Sequence, residues 1–285
     1  MRTRLTSLLL AALRRTVPKR TVMISEYTLT PAARWGWGRP AHAALEALFA
    51  EGDDRYAGWI DRLVDAIPLL SEVERRAEPP EPSWDNNLWG GLDAAFHYLA
   101  IAERRPATYL EIGSGYSTML ARRAVDRHSP RTRIVSIDPN PRAEVDALCD
   151  EVIRQPLEKA GAGVADGLAA GDVVLIDGSH MATMGSDTVV ALLEMLPSLP
   201  PGVLVAIDDV FLPWDYHPTW VERWYGEQYI VAALLLGGGA GYEIVFPGLY
   251  ITQHPELAPK LEPLWPVVET RFGKVAVTLW IERPT

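Results

Sequence analysis

The chain of 285 residues carries 37 acidic against 27 basic side chains, a net charge of −10, and is 48% hydrophobic. That size and apolar content suffice for one core with an appended helical region, and the acidic balance speaks against a nucleic-acid binder, whose footprint is basic. The single cysteine, Cys149, leaves no internal disulfide and fits a reducing, cytoplasmic setting, while no run reaches the roughly 20 apolar residues of a membrane span.

Residues 1–20 hold Arg2, Arg4, Arg14, Arg15, Lys19 and Arg20 and no acid. Leu5, Leu8, Leu9, Ala12 and Leu13 fall on one helical stripe. A basic amphipathic helix of this kind suits an anionic membrane surface or a subunit interface in a homo-oligomer. A secretory signal fits poorly, because Arg14 and Arg15 stand where a small-residue cleavage site belongs.

Helices are predicted over 41–50 and 56–67, with a break at Gly52-Asp53-Asp54. Trp35, Trp37 and Trp59 give this region anchoring mass. Glu78-Pro-Pro-Glu-Pro-Ser83 reads as a stiff connector. Trp84-Asp-Asn-Asn-Leu-Trp89 follows, and a helix over 92–104 leads into the first strand.

That strand, Ala107-Thr-Tyr-Leu-Glu111, ends in the turn Ile112-Gly-Ser-Gly-Tyr-Ser-Thr118. Gly113 and Gly115 let the chain turn tightly and a ligand approach its backbone, and Ser117 or Thr118 is placed to cap the next helix. A dinucleotide fingerprint asks for glycine at 118, where this chain has Thr118. A Walker A loop is excluded, since no Gly-Lys-Ser/Thr follows.

A second strand, Arg133-Ile-Val-Ser-Ile137, leads into Asp138-Pro-Asn-Pro141. A carboxylate at such a strand tip accepts hydrogen bonds from both hydroxyls of a ribose. A short third strand is predicted at Val152-Ile153. The next two strands end in Asp177-Gly-Ser-His180 and Asp208-Asp209, with helices predicted over 181–196 and 219–236. Segments 241–246 and 275–281 supply two closing strands. Ligands of a doubly wound sheet sit at the carboxyl ends of its strands, where these acids recur.

Acid-x-Gly-x-Gly, with Ile-Asp-Pro-Asn-Pro-Arg142, Ile-Asp-Gly-Ser-His180 and Asp-Asp-Val-Phe-Leu-Pro-Trp-Asp-Tyr216, resembles the class I S-adenosylmethionine-dependent methyltransferases. Within them it resembles the bacterial group of macrolide-sugar O-methyltransferases and cephalosporin-hydroxylase-like proteins. The resemblance covers about 92–282 and implies an α/β, Rossmann-like sheet, mostly parallel, with one antiparallel strand near the C-terminus. It implies a division into an N-terminal helical extension and lid, 1–91, and a cofactor-binding methyltransferase domain, 92–285. Trp84, Asn86, Asn87 and Trp89 would belong to the lid. Glu111, Gly113, Ser114, Gly115, Tyr116, Ser117, Asp138, Pro139 and Asp177 would bind S-adenosylmethionine.

Methylating a hydroxyl requires its oxygen to lose a proton. Asp177, Asp208 and Asp209 are candidate ligands for Mg²⁺, which lowers the pKa of a bound hydroxyl. His180, with Asp177, is the alternative catalytic pair, a general base near neutral pKa. Adjacent strand residues face opposite ways, so Asp208 and Asp209 act together only if the strand has ended by Asp208. Many members of the group carry His-Asp in place of this pair. Trp214, Tyr216, His217, Trp220 and Trp224 are candidates to line the acceptor's entrance, while His42, His97, His128 and His254 form no metal spacing. The expected function is O-methylation of a small molecule, as in bacterial secondary metabolism. The alternatives are an inactive cofactor- or metabolite-binding relative and an NAD-dependent oxidoreductase.

Overall fold

The computed structural model describes Thr28 and residues 30–285, so the amphipathic stripe of residues 1–20 lies outside the described residues. Ala33–Thr285 form one compact unit around a seven-stranded sheet. Its strands are β1 (Thr108–Ile112), β2 (Arg133–Ile137), β3 (Glu151–Ile153), β4 (Val173–Ile176), β5 (Leu204–Ile207), β6 (Glu243–Pro247) and β7 (Leu279–Glu282). Their order is β3-β2-β1-β4-β5-β7-β6, with β1 to β5 mutually parallel and β7 antiparallel to both its neighbours. This is the α/β, Rossmann-like sheet with one reversed strand that the sequence predicts.

Register matters more to the site than strand order does. Ile112 pairs with Ile137 and with Ile176, and Ile176 pairs with Ile207. The residues that follow, Gly113, Asp138, Asp177 and Asp208, therefore leave the sheet along one carboxyl edge. β1 and β4 are neighbours there although far apart in sequence, which makes the switch point where such sheets bind ligands.

The helix Gly91–Arg104 is buried at every position from Gly91 to Ala102, as an element covered on all sides must be. Phe96 stacks on Phe246 at 4.1 Å and meets Trp280 at 5.0 Å. Trp59, from the helix Asp53–Asp65, closes on Phe96 from the other side at 5.0 Å. The first helix of the described region, Ala43–Ala50, is separated from Asp53–Asp65 by Gly52, where a Cβ would run into the Tyr56 ring.

Four local expectations are corrected. The helix predicted over 181–196 begins only at Asp187, because Asp187 folds back to accept Ser179 N–H at 2.6 Å and Ser186 caps the helix through Val189 N–H. It continues through the π-helical Val190–Met195 to Ser198. The helix predicted over 219–236 is two pieces, a 3₁₀ turn at Pro218–Arg223 and a helix at Glu227–Leu236, parted by Trp224 in the left-handed region (φ 58°). The strand predicted over 275–281 is irregular until Leu279, since Val277 N–H and Thr278 N–H turn to the buried carboxylate of Asp93 at 2.9 and 3.0 Å. The helix after β1 starts at Tyr116, so neither Ser117 nor Thr118 is its N-cap.

Candidate active site

The glycine turn is built from beneath. Glu111 is fully buried, and its carboxylate accepts from Tyr109 Oη at 2.9 Å, Ser117 Oγ at 3.1 Å and the Thr118 hydroxyl. Burial pushes its pKa up to about 7 against the pull of those hydroxyls. Thr118 Oγ1 also accepts Gly115 N–H at 3.0 Å, so this side chain ties the turn to the helix. A glycine at 118 could make neither of these two hydrogen bonds. Glu111 and Ser117 thus hold the turn from inside.

Gly113 is the position that only glycine fits. Its φ is +84°, and a Cβ there would stand 1.8 Å from the carbonyl oxygen of Asp177. Across the edge, Asp138 accepts Ser114 N–H at 2.8 Å and Asn140 N–H at 2.7 Å, and Ser114 Oγ meets Ser136 Oγ at 2.6 Å. The first turn and the second strand tip are thereby joined, with Pro139 exposed beside them. Tyr116 points away from the turn, exchanging hydrogen bonds with both Ser83 N–H (2.9 Å) and Ser83 O. A cleft of about 710 Å³ opens next to it, lined by Ser83, Asn86, Asn87, Tyr116, Arg142 and Glu144 among others.

The second half of the site is centred on His180. Its Nδ1 contacts Glu227, and its Nε2 lies 3.2 Å from Asp177 Oδ1 and 3.5 Å from Asp209 Oδ2. β5 ends at Ile207, which meets the condition for Asp208 and Asp209 to act together. The chain then turns left-handed at Asp209 (φ 55°), as it does at His180 (φ 60°). Such strained residues gather where neighbours over-determine the backbone, often at active sites. Asp208 faces inward, accepting from Thr278 Oγ1 and from Trp89 Nε1, the latter at 3.3 Å. Among the lid candidates, Trp89 is thereby joined to the acids, while Trp84 is buried and donates to Leu70 O at 3.2 Å.

These charges shape one another. Burial opposes the imidazolium, but Glu227, Asp177 and Asp209 outweigh it, and His180 is held protonated well above the ordinary histidine range. Burial, then the Asp177 charge, raises Asp208 to about 6. Burial and Asp208 raise Asp209 well above the carboxylate range, and burial lifts Glu227 to about 7 against the pull of His180. His180 and Glu227 are 2% and 1% exposed, whereas Asp177 and Asp209 are 30% and 15% exposed. An incoming molecule therefore meets the two aspartates first.

Residues 110–210 match the model of a family described as a methyltransferase domain. The match spans about a third of the chain, from β1 to the residues just past β5. No curated protein matches the chain. Among solved structures it is similar to the MycE methyltransferase of the mycinamycin biosynthetic pathway, in complex with Mg, SAH and mycinamycin VI, at 17% identity and a TM-score of 0.40. That alignment covers 66% of this chain and 48% of the other, so the chain spans about half the length of MycE. It is also similar to a Podospora anserina methyltransferase bound to SAH (15% identity, TM-score 0.41, 82% of this chain and 96% of that one). An O-methyltransferase from Bacillus cereus in complex with SAH gives 13%, 0.42, 78% and 90%.

No three His, Cys, Asp or Glu side chains among the described residues close around one point as a metal site. The donor chemistry is still that of a hard cation's site. Asp208 takes both its hydrogen bonds on Oδ1, and Asp177 and Asp209 each face His180 Nε2 with one carboxylate oxygen, at 3.2 and 3.5 Å.

Two contributors escape the sequence reading. Glu227 lies inside a predicted helix, although Gly226 before it signals the break. Thr278 lies inside a predicted strand, and nothing local marks it.

Beyond His180 the site is aromatic. Tyr225 lies over the His180 ring at 4.5 Å, Trp220 is 5.8 Å from Tyr225, and Phe211 is 4.9 Å from Trp220. Of the residues predicted to line an entrance, Tyr216 is buried against Phe211 at 5.6 Å, while Trp224 is exposed. His217 packs edge-on to Trp37 at 4.5 Å, and Gly36 fits against Trp214.

Proposed function

We propose that the protein is a methyltransferase that uses S-adenosylmethionine to methylate a hydroxyl of a small molecule. The cofactor would lie across the turn Gly113–Gly115, its ribose on Asp138 beside Pro139, in reach of Ser114 and Asp177. Glu111 and Ser117 would act from beneath, by fixing the turn.

The observation that carries the reading is one edge with two chemistries. Gly113 and Asp138 are those of a nucleoside cradle, and Gly113 is packed against the backbone of Asp177, the first acid of the His180 cluster. Asp177 and Asp209, the more accessible acids, would meet the acceptor hydroxyl, with His180 directly behind them. Burial and the Asp208 charge raise Asp209, which makes its carboxylate a stronger base than an ordinary aspartate. The proton taken from the acceptor would stay on Asp209, whose Oδ2 lies 3.5 Å from His180 Nε2. If a divalent cation binds, Asp177, Asp208 and Asp209 would hold it, and its chemistry would be to acidify the acceptor oxygen.

Calorimetry with S-adenosylhomocysteine tests the cofactor. Binding in the micromolar range, about −8 kcal/mol, is expected, and Asp138→Ala should weaken it by about 1.5–3 kcal/mol. A wild-type protein that binds no S-adenosylhomocysteine would refute the reading.

A further inference from the structure

Arg223 ends the 3₁₀ turn Pro218–Arg223, and Trp224 then bends the chain left-handed so that Tyr225 lies over His180. The Arg223 guanidinium stacks on the Trp220 ring at 3.7 Å and reaches the Tyr225 ring at 5.5 Å, with Nη1 3.4 Å from Tyr225 Oη. One aromatic ring therefore separates this guanidinium from the His180 imidazole. Among the described residues no carboxylate pairs with Arg223, whose one side-chain hydrogen bond goes to Tyr225 Oη. Its hydrogen-bonding fork is held in place by stacking yet left open.

The charge around it gives that opening a meaning. Asp177, Asp208, Asp209 and Glu227 surround one histidine, so the site repels anions by default. A fixed guanidinium at the aromatic mouth converts that repulsion into selection, because an anion fits only where its charge meets the fork. We propose that Arg223 reads a carboxylate on the acceptor, and that the acceptor is a single hydroxylated ring with the carboxylate at the end remote from the reacting hydroxyl. The ring would lie along Tyr225 and Trp220. This inference rests on the methyltransferase reading above and adds the substrate class to it.

The test compares 3,4-dihydroxybenzoate with its neutral counterpart, 3,4-dihydroxybenzyl alcohol, binding to the full chain with S-adenosylhomocysteine present. Wild type should prefer the anion by about tenfold, the scale of one charge-assisted hydrogen bond. Arg223→Gln should erase the preference while S-adenosylhomocysteine affinity stays unchanged, and Arg223→Lys should keep part of it. Glucuronate, as a third probe, separates an aromatic acid from a sugar acid, since preference for either that Arg223→Gln removes supports the proposal. No preference for any anion in wild type, or equal loss of both benzene probes in Arg223→Gln, would overturn it. Loss of S-adenosylhomocysteine binding by wild type would instead count against the cofactor reading.

Discussion

Gly226 donates its backbone N–H to the carbonyl of His180 at 2.8 Å, and the next residue, Glu227, holds the ring of the same histidine. One short segment thus grips His180 from the main chain and from the side chain. Glu227→Gln keeps the shape and removes the charge. We expect turnover to fall by about 10²-fold, as for a disturbed proton-transfer group, with cofactor affinity little changed. Initial rates beside calorimetry check this, and undiminished turnover would detach Glu227 from the chemistry.

The two turn glycines should fail differently. At Gly113 a Cβ would strike the Asp177 carbonyl at φ +84°, so Gly113→Ala should cost about 2–4 kcal/mol of stability. At Gly115 the nearest atom, Arg142 Cβ, stands 3.8 Å from a Cβ position. Gly115→Ala should therefore fold, and lose S-adenosylhomocysteine affinity because the added methyl stands where the ligand approaches. Thermal melts and calorimetry on the pair distinguish the cases. Equal melting losses in both would contradict the assignment of roles.

Much of this edge was legible in the sequence, because β-branched runs ending in acids report both a strand and its tip. Asp138, Asp177 and Asp208 fall in register as the strand ends predict. What the sequence concealed depends on long-range hydrogen bonds. Asp93 draws off the N–H groups of Val277 and Thr278 and shortens β7, across a separation that no local pattern encodes. Glu227 was hidden for a local reason, since helical periodicity continues on both sides of the break at Trp224. Thr118 was legible as a departure from glycine, but its bond to Glu111 needed the fold.

Buried acids make the stability of the ligand-free protein fall as pH rises. Burial raises Asp93 and Glu111 each to about 7. Both groups bind protons more tightly folded than unfolded, so the stability present below about pH 4 is lost as pH climbs through 7. His97 runs the other way, since burial lowers its pKa to about 3 and its stabilising effect grows with pH up to about 6.5. Between about pH 6.5 and 7.5 the acids act without that opposition, and the melting temperature should decline. Glu111→Gln should flatten this slope. A melting temperature that rises across the same interval would contradict the two acids' burial.

The three carboxylates of Asp177, Asp208 and Asp209 predict a response to chelation. Turnover should be lost after exhaustive EDTA and return with Mg²⁺, and Asp209→Asn should raise the Mg²⁺ concentration needed while leaving cofactor affinity nearly constant. Full turnover after chelation would remove the cation from the mechanism and leave the His180 cluster to act by itself.

Tyr116 offers the test of the connector. Its hydroxyl takes Ser83 N–H at 2.9 Å and returns a hydrogen bond to Ser83 O, which fastens the proline-rich segment beside the glycine turn. Trp89, six residues further on, reaches Asp208, so the same segment is tied to both halves of the site. Tyr116→Phe leaves a buried N–H and a buried carbonyl unpaired, a loss of about 1–3 kcal/mol for the group without a partner. If the segment covers the cofactor, that loss should emerge mainly as faster release of S-adenosylhomocysteine, with the association rate little affected. Stopped-flow measurement of both rates decides the matter. Unchanged release together with a lowered melting temperature would make Tyr116 a structural fastening that takes no part in retaining the cofactor.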